Sequence, residues 1–323
     1  MKDHYEALKA VTDLETVSFK TFWTVWNEQF PFLRFRPYSN HAQCSVCCRH
    51  KLLIRGLSNH VAARRHQISL MSEHLRSQYM DRQCYWALRG QSRLRANTFL
   101  VAIIDSMDQL KFQYPRTPVA YAKDMSTMQR PKLHVTCCLA HGHSYCFYLA
   151  KHAYPKDSSV MTEIVANLLT RLGASGVRLS LLHFHLQSDN TPREFKNNTL
   201  LRFLSACVSH GLLAGCTMAH LRTGHSHEDI DQGFGALGTF IVRHAKTVET
   251  PEKFQEIIQR YCEAAVRPYE KDRLTFMIDR HRDWKGFMAG AVPVSLHGVG
   301  GSGAPHWFEF QQRQVLGVLD HYY

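Results

Sequence analysis

Two aspartates stand where apolar runs end: Asp105 closes TFLVAIID and Asp189 closes RLSLLHFHLQSD. A carboxylate at the end of a rigid strand is a hard oxygen ligand held in place, which suits Mg²⁺ or Mn²⁺. Phosphoryl transfer to water or to a 3′-hydroxyl uses two such ions about 4 Å apart, one at the attacking and one at the leaving oxygen. The segment HSHEDID offers a third acid, with Glu228, Asp229 and Asp231 within one helical turn. Glu228 and Asp231 share a face at i,i+3, whereas Asp229 is spaced to close a capping box with Ser226. Asp231 or Glu228 is therefore expected as the third ligand, with Asp108 in a supporting place behind Asp105. A zinc hydrolase built on His225, His227 and Asp231 is the competing reading, and it requires a compact three-ligand arrangement with no second carboxylate site. Asn190, Lys196 and Asn197, which follow Asp189, either touch a phosphate backbone or cap the next helix.

A second group is made of cysteine and histidine. Cys44-x2-Cys47 brings two thiolates to one side of a tight turn, and Cys47-x12-His60-x5-His66 completes the spacing of a zinc-finger-like structural site. His41 and His50 are alternative ligands. The aromatic residue that such a finger carries between its second cysteine and Leu57 is replaced here by Leu52 or Leu53.

These groups must be positioned by the elements around them. FKTFWTVW places Phe19, Phe22, Trp23 and Trp26 at helical spacing before Pro31, a stripe expected to be core, and a polar, Arg- and His-rich helical stretch runs from about 52 to 89. From Thr98 the pattern changes to strands. TFLVAIID is followed by PKLHVTCCLAHG and SYCFYLAKH, a hairpin turning around Gly142. The helix of DSSVMTEIVANLLTRLG, capped by Ser158 or Ser159 and stopped at Gly173, comes next. A fourth strand ends at Asp189, a helix crosses through NNTLLRFLSACVSHG, and a fifth strand, GCTMAHL, leads to the helix containing Asp231. TPEKFQEIIQRYCEAAV is a further amphipathic helix capped by Thr250. Three strands, helix, strand, helix, strand, helix is the order of an RNase H-like α/β core. The expected architecture is that core, a mixed five-stranded sheet with flanking helices over 96–268, preceded by a mainly helical, zinc-finger-like module over 1–95 and followed by an extension over 269–323.

Lys and Arg outnumber Asp and Glu by 39 to 27, giving a net charge of +12 and a pI near 9.3. That excess favours an anionic partner such as DNA. No apolar run reaches the roughly 18 residues of a membrane span, and the start MKDHYEALKA lacks the apolar stretch of a secretory signal, so no membrane partner and an intracellular, nuclear location are expected. Ten cysteines in 323 residues are too sparse for a disulfide scaffold.

IIDSMDQLKF, PKLHVTCCLAHG, LQSDNTPREFKNN and GHSHEDIDQGFG together resemble the consecutive motifs of a large eukaryotic family, described as a domain of unknown function and related to transposase and integrase cores. The similarity spans roughly residues 98–245, and HAQCSVC and RDWKGF resemble flanking parts of the same proteins. The resemblance implies a transposon-derived, RNase H-like protein whose matching acids are Asp105, Asp189 and Asp231; catalytic Mg²⁺ or Mn²⁺ follows from such acids, structural Zn²⁺ is expected from the cysteine and histidine spacing, DNA as partner from the charge, and a homo-oligomer because transposases commonly work as multimers. The third acid of typical transposases and integrases is more often Glu. Asp231 therefore marks either a variant nuclease or strand transferase, or a domesticated nucleic-acid-binding protein that no longer cuts.

Overall fold

The computed structural model describes residues 5, 17–32, 44–117, 129–220, 229–280, 282–291, 306–315 and 318–322. The chain divides into two units, residues 1–83 with 223–225, and residues 84–222 with 226–323.

The first unit is helical. Helix α1 (Phe19–Gln29) is capped by Ser18, whose hydroxyl accepts from the Thr21 N–H at 3.1 Å; α2 (Ser45–Gly56) opens at Cys44; α3 (Val61–Arg95) starts here and ends in the second unit. The aromatic stripe of α1, expected as core, is a correction: no residue of the helix is buried, and Trp23 remains 43% exposed. Its rings instead form a ladder in which Tyr5, Phe19, Phe22 and Trp26 succeed one another at centroid spacings of 5.2 to 6.3 Å. A helical stripe becomes core only where another apolar face covers it. The described part of this unit buries only Tyr5, Cys44, Cys47, Ile68 and Gln78.

The second unit is built on one mixed sheet: β1 (Phe99–Ser106), β2 (His134–Ala140), β3 (Ser144–Ala150), β4 (His183–Ser188), β5 (Gly215–His220), β6 (Asp272–Ile278), β7 (Trp307–Val315) and β8 (Val318–Tyr322), in the order β6-β3-β2-β1-β4-β5-β7-β8. β1, β2 and β3 are antiparallel neighbours, β4 runs parallel to β1, and β5 runs parallel to β4. The five expected strands are thus contiguous, in the order and directions of an RNase H-like core. The expectation of five strands is corrected to eight. Residues 269–323 supply the other three, β6 parallel to β3 at one edge and the β7–β8 pair antiparallel to β5 at the other.

Helices cover both faces, which is why the central strands read as near-continuous apolar runs rather than alternating ones. Leu100, Ala102 and Ile104 of β1 belong to one buried core with Ile164 and Leu168 of α4 (Ser158–Ala174) and Leu200 and Leu204 of α5 (Asn198–Ser209). Val101 and Ile103 face the other way, into a core with Leu237 and Ile241 of α6 (Asp229–His244) and with Phe254 and Ile258 of α7 (Pro251–Ala264). A short helix, α8 (Trp284–Ala291), lies against α4 and α5. The cap of α4 is Asp157, which accepts from the Ser159 and Val160 N–H groups, rather than either serine. In the β2–β3 turn Gly142 has φ +83°, and a Cβ there would come within 3.1 Å of the Arg93 backbone, so only glycine fits. Among the described residues no helix is long and apolar enough to cross a membrane.

Candidate active site

Asp105 is the penultimate residue of β1, opposite Cys137 of β2. Its predecessor Ile104 pairs with Ser188, the last residue of the parallel strand β4, so Asp189 leaves the sheet beside it. Asp231 lies in the first turn of α6. The three side chains share one electrostatic environment. Burial first, and then the charges of Asp189 and Asp231, push the Asp105 carboxyl up to about 8 against the lowering effect of the Ser106 N–H and the Lys156 ammonium. A buried acid crowded by two others lacks positive charge. Carboxylates are hard oxygen ligands of the kind that suit Mg²⁺ or Mn²⁺, but the oxygens of Asp105, Asp189 and Asp231 do not all lie within 4.8 Å of one another; among the described residues that spacing is reached by Cys44, Cys47 and His74.

The supports are specific. The Ser106 N–H donates to Asp105 Oδ1 at 2.7 Å. The Thr191 N–H donates to Asp189 Oδ1 at 3.1 Å and the Thr191 hydroxyl donates to Oδ2, so the carboxylate is oriented by its own loop. His220, at the end of β5, is pushed down to about 4 by burial and is neutral at physiological pH; its Nδ1 lies 2.8 Å from the Asp189 carbonyl oxygen and 3.0 Å from Ser188 Oγ. The expected capping-box partner of Asp229, Ser226, lies outside the described residues, and Asp229 itself is held from α3. It accepts from Arg89 Nη1 at 2.6 and 2.7 Å and from Tyr85 Oη at 3.4 Å, and Tyr85 Oη also lies 2.8 Å from the buried His141 Nε2. The end of α3 therefore anchors the turn that carries Asp231. Gly233, one turn on, lets the helix approach β3: a Cβ there would collide with the Tyr145 hydroxyl.

The sequence reading missed Glu194. Its carboxylate is buried, accepts from Ser106 Oγ at 3.1 Å and pairs with Lys156 Nζ at 2.9 Å, while Ser106 Oγ also meets Thr136 Oγ1 at 3.0 Å. The signal for it was an acid five residues after Asp189 in the otherwise basic and polar stretch NTPREFKNN. Of the other expected residues, Glu228, His225, His227 and Ser226 lie outside the described residues. Asp108 is exposed and caps the short 3₁₀ turn Gln109–Phe112 through the Leu110 N–H. Asn197 caps α5 by accepting from the Leu200 N–H at 3.1 Å. Lys196 is 2% exposed, and burial pulls its ammonium down. The Asn190 Oδ1 is buried without a hydrogen-bond partner.

The cysteine and histidine group also needs correction. His60 and His66 are exposed, His50 is hydrogen-bonded to Gln67 and His41 lies outside the described residues. The histidine that joins Cys44 and Cys47 is His74. A finger's paired strands are replaced here by a helix that begins immediately after Cys44.

A cleft of about 630 Å³ runs between the segment following β1 and the exposed face of α6, lined by Lys111, Arg116, Arg130, Arg243, Gly235 and Gly238 among others. Among the described residues its charged lining is Lys111, Arg116, Arg130 and Arg243, all basic.

The fold defines a mixed α/β domain whose central strands are ordered as in RNase H-like cores, with Asp105 at the end of β1, Asp189 just after β4 and Asp231 in the first turn of α6. The chain belongs to the family described as Domain of unknown function (DUF7869), which matches residues 123–323, a span that holds Asp189 and Asp231 and begins after Asp105. No curated protein matches the chain. Solved structures similar to it include a Mos1 transposase paired-end complex with the left transposon end (9% identity, 82% of this chain and 86% of that one, TM-score 0.37). The Mos1 strand transfer complex is also similar (11% identity, 82% and 85% covered, TM-score 0.35). Likeness at this level says nothing about chemistry.

Proposed function

We propose that the protein is a divalent-metal-dependent nuclease or DNA strand transferase of the transposase and integrase type. The observation that supports this reading is that Asp105 and Asp189 follow the paired residues Ile104 and Ser188 at the ends of adjacent parallel strands, with the Asp189 and Asp231 charges adding to burial in pushing the Asp105 carboxyl up to about 8. Bound Mg²⁺ or Mn²⁺ would supply the positive charge that activates the attacking water or 3′-hydroxyl and stabilises the leaving oxygen. Asp105 and Asp189 hold their carboxylates on adjacent strand ends, and Asp231 closes the site from α6. Glu194 and Lys156 form a fixed ion pair behind Ser106, which keeps the end of β1 in place. The basic cleft beside α6 holds the phosphate backbone, its cations releasing counterions as they bind.

The test is Mg²⁺- or Mn²⁺-dependent cleavage of supercoiled and oligonucleotide DNA by wild type, Asp105→Ala and Asp189→Ala. Cleavage by wild type and loss of at least 100-fold in both variants is the expected result. Activity that survives both substitutions overturns the mechanism. Salt-sensitive DNA binding by a wild type that does not cut would instead make the protein a nucleic-acid-binding relative that has lost its chemistry.

A further inference from the structure

We infer that the first unit holds a structural zinc ion on Cys44, Cys47 and His74, a site independent of the carboxylates. The ligand atoms of these three residues all lie within 4.8 Å of one another, and both thiols are buried. Cys44 Sγ and His74 Nε2 are 3.4 Å apart. Zinc at about 2.3 Å from sulfur and about 2.1 Å from nitrogen, with tetrahedral angles, requires about 3.6 Å between such atoms. The side chains are thus already at coordination spacing.

Helical geometry makes this possible. Cys44 stands at the cap position of α2 and Cys47 lies one turn in, so both sulfurs share a face. His74 reaches them from α3, thirty residues away in sequence. Farther along the same pair of helices, Gln67 Nε2 meets His50 Nδ1, which shows α2 and α3 lying side by side. The His50 ring is 6.3 Å from that of His74, and Cys48 is half-buried next to Cys47; either could supply a fourth ligand.

The composition of the unit says why a metal is needed. Two of its five buried described residues are the cysteines themselves, and Leu52, Leu53 and Val61 are exposed. Helices with so little apolar surface between them do not hold together by burial, and small units of this kind rely on a metal or disulfides. Between Cys44 and Gln83 there are seven Arg or Lys against two acids, so a zinc-tied α2–α3 pair would present a rigid basic surface.

The experiment uses the full-length chain, purified without added metal and passed over a desalting column. Wild type should carry about one zinc per chain. Cys47→Ser and His74→Ala should lose it, and His60→Ala and His66→Ala should keep it. Because a ligand variant can misfold, Co²⁺ is also titrated into metal-stripped wild type, where thiolate-to-cobalt charge-transfer bands and the intense visible bands of tetrahedral cobalt are expected. Asp105→Asn must give the same cobalt spectrum. Wild type that contains no zinc and develops no thiolate–cobalt bands overturns the proposal. So does zinc undiminished in His74→Ala, or lost equally in His60→Ala.

Discussion

In the proposed site Asp105 carries the chemistry and also a cost. In the native protein without divalent cations it keeps its proton up to about pH 8, whereas an unfolded aspartate releases it near 3.8. Between those values the folded state binds more protons than the unfolded one, so stability falls as pH rises across the window and the deficit is complete above pH 8. Asp105→Asn removes the titration at nearly constant shape. In a chelating buffer the variant should be more stable than wild type by about 1–3 kcal/mol at pH 8, with the difference shrinking toward pH 4. Thermal midpoints at the two pH values measure this; a difference that does not change with pH contradicts it. Lys156 lowers the same carboxyl and braces Glu194, so Lys156→Ala should raise the apparent pH at which metal binds. A metal-binding pH profile left in place by Lys156→Ala would remove it from the site.

At the scale of elements, the site depends on how α6 is seated. Arg89 grips Asp229 two residues before Asp231, and both partners are largely shielded from water. Losing one partner of a shielded pair leaves the other unpaired, which costs more than the loss of a surface ion pair. Arg89→Ala should cost about 1–3 kcal/mol, speed amide exchange in the first turn of α6 and lower cleavage about tenfold. Unchanged exchange in α6 would show that the turn is held by other contacts. This is also where sequence reading stops. Asp105 and Asp189 were legible because each ends a run apolar enough to be a buried strand, and the order of strands and helices then placed Asp231 near them. Arg89 was not legible, being 140 residues from Asp229 in a stretch full of arginines. His74 was missed for the same reason: the finger spacing drew attention to His60 and His66, while the true neighbour is set by two helices lying side by side. The α1 stripe failed differently, because helical periodicity shows which residues could share a face and not whether anything covers it.

At the scale of the whole molecule, the +12 charge has a local expression in the cleft lined by Lys111, Arg116, Arg130 and Arg243. If phosphates lie there, Lys111→Gln with Arg130→Gln should weaken DNA binding across all sequences and reduce the salt slope by about 1–2, leaving the carboxylate site intact. An unchanged slope would place the DNA elsewhere. The sheet itself is wider than the sequence suggested. The strand pattern of residues 269–323 was hidden, since β6 opens on the charged Asp272 and Arg273 and is only partly buried at the sheet edge, and β7 follows a Gly-rich segment. The most direct test of the account is Mn²⁺ binding to the full chain at pH 7.5, followed by electron paramagnetic resonance or calorimetry. Wild type should bind Mn²⁺ with release of protons, and Asp105→Asn combined with Asp189→Asn should abolish both binding and proton release while the fold remains intact by circular dichroism. Undiminished Mn²⁺ binding by that folded double variant would contradict the claim that these acids form the metal site.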